Sequence, residues 1–102
     1  MSNAARDKRW SAAVMKKYGG RCPCCNKKAN GGAHHIIDRS NLKTRWLIAN
    51  GIATCAVLHR MFEGAKSLRE NAIENYVGLK KYYILEAIAE GLVLNNKYEE
   101  IK

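Results

Sequence analysis

Apolar residues recur at helical spacing near the start of the chain. In residues 6–18, "RDKRWSAAVMKKY", Trp10, Ala13, Val14 and Tyr18 fall at i, i+3, i+4 and i+8, one face of a helix that Gly19-Gly20 ends. The period then disappears in "RCPCCNKKANGG", a turn-rich stretch. "AHHII" predicts a short strand over 33–37 and "DRSNLKTR" a loop. In "WLIANGIAT" two short apolar runs flank Asn50-Gly51, a dipeptide favoured in tight hairpin turns. Thr54 is placed to cap a helix from Cys55 to about Glu63, with Gly64 beyond its end. Ser67 is placed to cap the next helix, where Leu68, Ala72, Ile73 and Tyr76 share a face. Gly78 separates that helix from "LKKYYILEAIAEG", which Gly91 closes.

The expected fold is α+β: one small, mostly helical domain over 1–102, with a hairpin followed by a helix at its centre. Residues 67–102 read as helical scaffold, because apolar stripes at this spacing usually serve a core.

With 102 residues and 47% hydrophobic content, the chain supports one modest core, which a metal would help to stabilise. No apolar run reaches the ~18 residues of a membrane span. The charged start, "MSNAARDKRW", lacks the apolar stretch of a secretory signal. A cytoplasmic protein is therefore expected, with its four cysteines as thiols or metal ligands rather than disulfides. Charge narrows the choice of partner. Residues 1–48 hold eleven Lys and Arg against two acids, Asp7 and Asp38, so the whole formal charge of +9 lies there. Such a half attracts a polyanion such as nucleic acid, the alternative being a solvated basic surface.

The three histidines all follow the cysteine-rich turn. His34 and His35 adjoin in the first strand, and His59 falls in the second turn of the helix after the hairpin. Imidazoles on facing elements can hold one divalent ion and leave it open positions, as metal-assisted hydrolysis requires. The other member of the pair would act as general base, since a pKa near ~6.5 suits removal of a proton from water. A flat strand sends neighbours to opposite faces, so the strand end must twist or bulge, for which Gly31-Gly32 is suited.

The ordered set of Cys-x-x-Cys, His-His, Asn, Cys and His in "YGGRCPCCN…AHHIIDRSNLKTRWLIANGIATCAVLHRMFEG" resembles the HNH endonucleases, and most of all the small zinc-ribbon branch of phages and prophages. The resemblance spans residues 18–64 and implies a ββα-metal fold. It makes His34 and His59 ligands of one divalent cation (Mg, Mn, Ni or Zn) and His35 the general base. It gives Asn50 the role of fixing the loop and helping to orient His35. Arg39 and Arg45 would hold phosphates beside the scissile bond. Glu63, four residues after His59, is either an orienter of water or a solvated helix-end residue. The implied reaction nicks DNA, leaving a 5′-phosphate and a 3′-hydroxyl, by a monomer or weak dimer in a bacterial host.

The cysteines fit this pattern incompletely. Cys22, Cys25 and Cys55 are the expected ligands of a structural zinc, but the branch's fourth position is Leu58, which cannot bind metal. Cys24 could replace it only through a tight turn; without zinc, the cysteines would be small buried hydrophobes. A Cys2His2 finger is excluded by spacing, and a thioredoxin-type site by the absence of a preceding βαβ pattern. The rival reading is a basic, metal-stabilised DNA-binding protein without catalysis.

Overall fold

Ser2 starts the first helix. Its side-chain oxygen accepts from the Ala5 N–H at 3.2 Å, so α1 (Asn3–Lys17) begins seven residues before Trp10, the first residue of the apolar period. The computed structural model describes residues 2–102. Trp10 and Val14 on the predicted face of α1 are 2% and 0% exposed. Beyond Tyr18 the chain reverses through Gly19 and Gly20, both at positive φ, a conformation open to glycine without a Cβ penalty. It then forms a small knuckle closed by pairing of Arg21 with Lys28.

Strand β1 (Gly32–His35) pairs antiparallel with β2 (Gly51–Thr54), with His34 opposite Ile52 and His35 opposite Gly51. The predicted tight hairpin at Asn50-Gly51 does not form. The strands are joined by the long loop 36–50, which ends in a 3-10 turn (Ile48–Asn50). Gly51 is extended, at φ −117°, and serves another purpose. A Cβ there would collide with Val14 Cγ2 and lie 2.8 Å from Trp10 Cζ2, so its missing side chain lets α1 approach the sheet.

Helix α2 (Ala56–Glu63) follows β2 directly and buries Leu58 and Phe62. Its cap is Cys55, whose sulfur accepts from the Leu58 N–H at 3.4 Å. The predicted cap, Thr54, instead donates its hydroxyl to the Gly32 carbonyl at 2.8 Å, tying the ends of the two strands together. Helix α3 (Lys66–Ala72) is capped by Ala65, without a side-chain bond, rather than by Ser67. It runs on through a π-helical turn (Ile73–Val77) and stops at Gly78, at φ 96°. Helix α4 (Leu79–Ala89) ends before Gly91, as its sequence pattern predicts.

Among the described residues the architecture is thus α+β, with four α-helices and a two-stranded antiparallel sheet. Its Cα radius of gyration, 12.9 Å, is that of one compact body of about 100 residues. The main core joins Ile36, Leu47, Ile52, Leu58, Ile73 and Leu85; a second cluster of Trp10, Val14 and Trp46 lies where α1 meets the loop. The C-terminal segment returns to this second cluster. Ile48 N–H donates to the Glu99 carbonyl, Ile101 N–H to the Trp46 carbonyl, and Arg6 Nε to the Ile101 carbonyl. No described helix is long and apolar enough to cross a membrane.

Candidate functional site

Two groups of side chains that could hold a metal ion lie at the two ends of α2. The first is the cysteine cluster. The knuckle turns tightly: Asn26 N–H donates to the Cys22 carbonyl at 2.8 Å, Cys22 N–H donates to the Lys27 carbonyl at 2.9 Å, and Asn26 itself adopts positive φ. This turn brings Cys24 in beside Cys22 and Cys25, and Cys55 arrives from the start of α2. All four sulfurs lie within 4.8 Å of one another. Position 58, where the resemblance implies a fourth ligand, is a fully buried core leucine. Cys24 takes that place, and the left-handed Asn26 is the local device that lets three closely spaced thiols converge.

Electrostatics divide these thiols. The Leu58 N–H bonded to Cys55 is the largest influence lowering its pKa, to about 7, as expected for a thiol at a helix N-terminus. Burial, then the neighbouring Cys22, pushes Cys24 up to about 12. All four are free thiols. Four sulfurs in mutual reach fit a closed, tetrahedral zinc site.

The second group holds the histidines. His34, on the α2 side of β1, lies edge-on to His59, with ring centroids 5.1 Å apart and planes at 81°. Glu63, one turn beyond His59 on α2, places Oε1 3.4 Å from His59 Nε2. Donor atoms of His34, His59 and Glu63 lie within 4.8 Å of one another. Two imidazoles and a carboxylate suit a divalent ion and leave coordination positions open. Glu63 is exposed at the end of α2, as the solvated-residue reading expects, and its carboxylate nonetheless lies beside His59. Burial, and next the neighbouring His59, keeps the pKa of His34 below that of an ordinary imidazole, which favours the neutral, ligating form.

His35 leaves the strand on the other side and stacks on Trp10, centroids 3.8 Å apart and planes within 5°. Its Nε2 lies 2.9 Å from the Arg45 carbonyl oxygen. A carbonyl only accepts, so in the neutral ring Nε2 carries the hydrogen and Nδ1 keeps its lone pair. Burial lowers the His35 pKa, opposed by that same carbonyl bond. Although the two histidines pack against different helices, both line one cleft of about 270 Å³ with Ala33, Asp38, Arg39 and Glu63. The pairing of β1 is regular through His35, so the bulge expected beside Gly31-Gly32 does not form, and the two rings line the cleft from a regular strand end.

Asn50 is fully buried and holds the loop closed. Its Oδ1 accepts from the Ile37 N–H at 2.8 Å and its Nδ2 donates to the Ile37 carbonyl at 3.1 Å. It thus anchors the backbone two residues beyond His35 and bonds to no ring nitrogen. Arg39 is exposed on the cleft, 3.9 Å from Asp7. Arg45, expected to hold phosphate, is occupied otherwise: its Nε and Nη2 donate to the two Asp7 carboxylate oxygens at 3.0 and 2.6 Å. Asp7 also accepts from Trp46 Nε1 at 3.0 Å. The bonded Arg45 guanidinium holds the Asp7 carboxyl below its usual pKa.

Asp7 and Trp10 are parts of this site that motif reading missed. One signal was available for Asp7, as one of only two acids in a strongly basic half. Trp10 carried none beyond its place on an apolar face. No family model, curated protein or solved structure matches the chain.

Proposed function

We propose that the protein is a metal-dependent DNA endonuclease that nicks phosphodiester bonds, in keeping with its resemblance to the HNH endonucleases. The observation that carries this reading is a single cleft lined by His34, His35 and Glu63, with the donor atoms of His34, His59 and Glu63 within 4.8 Å. His34, His59 and Glu63 would hold a divalent cation such as Mg²⁺, Mn²⁺, Ni²⁺ or Zn²⁺. When bound, the ion supplies Lewis-acid polarisation of a phosphate and offsets its negative charge. His35 Nδ1 takes a proton from water, whose oxygen attacks phosphorus as the bond to the 3′-oxygen breaks. The products are a 5′-phosphate and, after the leaving oxygen gains a proton from solvent, a 3′-hydroxyl. Arg39, exposed beside the cleft, contacts a phosphate; Arg45 keeps the loop in place through Asp7. Cys22, Cys24, Cys25 and Cys55 would hold a structural zinc, which would fix the start of α2, where the His59 N–H donates to the Cys55 carbonyl.

The four-cysteine cluster favours a second reading, because a zinc-stabilised basic domain could bind DNA without cutting it. A plasmid assay separates the two. With Mn²⁺ or Mg²⁺, the wild-type chain is expected to convert supercoiled plasmid to open circles, and His35→Ala to stop this while still retarding DNA at low salt. Equal nicking by His35→Ala would remove the histidine from its role. Retardation by a wild-type chain that never nicks would leave the binding module.

A further inference from the structure

We infer that α1, outside the His-Asn-His stretch, is the positioning element for the proposed general base: Trp10 sets the plane of the His35 ring, and Asp7, through Arg45, sets which ring nitrogen carries hydrogen. The inference rests on the nuclease reading above, and its observations are independent of the metal ligands.

Two contacts at different parts of the ring constrain His35. The indole of Trp10 covers one face at 3.8 Å and 5°, and the Arg45 carbonyl takes Nε2–H at 2.9 Å. Rotation about the ring's own torsion loses one contact or both, leaving Nδ1 as the unengaged nitrogen. Each contact is itself braced. Trp10 is 2% exposed, and its Nε1–H donates to the Leu47 carbonyl at 2.7 Å, so the indole cannot slide along the loop. Arg45 is held by the paired bonds of its side chain to Asp7 and by its N–H on the Asn41 carbonyl at 3.0 Å. Trp46, the next residue, is bonded to the same carboxylate.

Asp7 and Trp10 are three apart on one helix and therefore neighbours on its surface. One face of α1 thus supplies both braces. A tryptophan serving the core alone needs burial but no parallel stack on an imidazole. Holding a reacting group in its working geometry is a recognised contribution to rate, and loss of an outer partner commonly costs about 10- to 100-fold.

The test uses the full chain with Mn²⁺ on supercoiled plasmid, together with ¹⁵N NMR of the histidine rings at one neutral pH without added metal. Trp10→Leu, which keeps an apolar but smaller side chain and no flat face, is expected to lower kcat about 10- to 100-fold with KM little changed. Trp10→Phe, which keeps a face, should restore most of it. His35 should be the Nε2–H tautomer in the wild type and Trp10→Phe, and a mixture in Trp10→Leu. Asp7→Asn, at a half-exposed position that leaves no cavity, provides the same readouts should Trp10→Leu not fold; it too should give a mixture and a lower kcat. A folded Trp10→Leu or Asp7→Asn with wild-type kcat and an unchanged tautomer would overturn the inference while leaving the nuclease reading intact. A wild-type chain that does not nick would remove the nuclease reading, and the ring-nitrogen pattern would then decide whether α1 orients His35.

Discussion

Replacing Asn50 with alanine removes both side-chain bonds that pin the loop to Ile37, at 2.8 and 3.1 Å, from a position that solvent does not reach. Two such bonds contribute about 1 kcal/mol each, and stranding the Ile37 N–H and C=O adds up to about 1–3 kcal/mol for any partner that water cannot reach. Ile37 is only partly buried, so some of that penalty is relieved. The expected loss is about 2–4 kcal/mol. For a domain of about 100 residues this lowers Tm by roughly 10–20 °C. The backbone bond from Ile36 N–H to the Asn50 carbonyl survives the substitution, so the loop should loosen locally before the sheet is lost. The assay is reversible urea denaturation beside a thermal scan.

Asn50→Asp sharpens the experiment. An ionised carboxylate still accepts from Ile37 N–H, but it sets a negative charge against the Ile37 carbonyl in a buried place. Burial disfavours the charged form, so this variant should be at least as weak as Asn50→Ala at neutral pH and recover at lower pH, when the protonated acid can donate. A Tm drop below about 3 °C for Asn50→Ala would refute the claim that this side chain holds the loop.

Two other outcomes follow from the same geometry. The Asp7 carboxyl, held below the ordinary carboxylate range chiefly by its bond to Arg45, stabilises the fold above the unfolded pKa, and that contribution is lost as pH falls through the lower folded value. Tm measured across this acid range should decline in the wild type, and Asp7→Asn should flatten the decline while lowering Tm at neutral pH; parallel curves would contradict the assignment. Elemental analysis should find zinc retained in His34→Ala and lost or much reduced in Cys24→Ser, with a strong chelator lowering the wild-type Tm. Full zinc occupancy in Cys24→Ser would show that the turn's convergence of thiols is not a ligand set.

Parts of this arrangement were legible because they depend on neighbours along the chain. The apolar stripe of α1 requires only residues three and four apart, and Gly19, Gly78 and Gly91 mark stops because each adopts positive φ where the helix before it ends. Adjacent histidines in a strand, and a third on the following helix, likewise express local periods. Where a local rule had two uses, the sequence could not choose between them. Asn50-Gly51 has the chemistry of a tight turn, yet Asn50 pairs with Ile37 and Gly51 admits Val14 and Trp10. Thr54 has the chemistry of a cap, but its hydroxyl binds Gly32 across the sheet.

By itself the sequence determined an α+β domain with a basic first half, four thiols, and three imidazoles on a strand and a helix. Only the tertiary structure decided that Cys24 joins the sulfur cluster, that Arg45 is taken up by Asp7, and that Trp10 lies flat against His35. Those pairings join residues up to 38 positions apart. Their partners are selected by the path of the loop and the packing of α1, which periodicity does not encode.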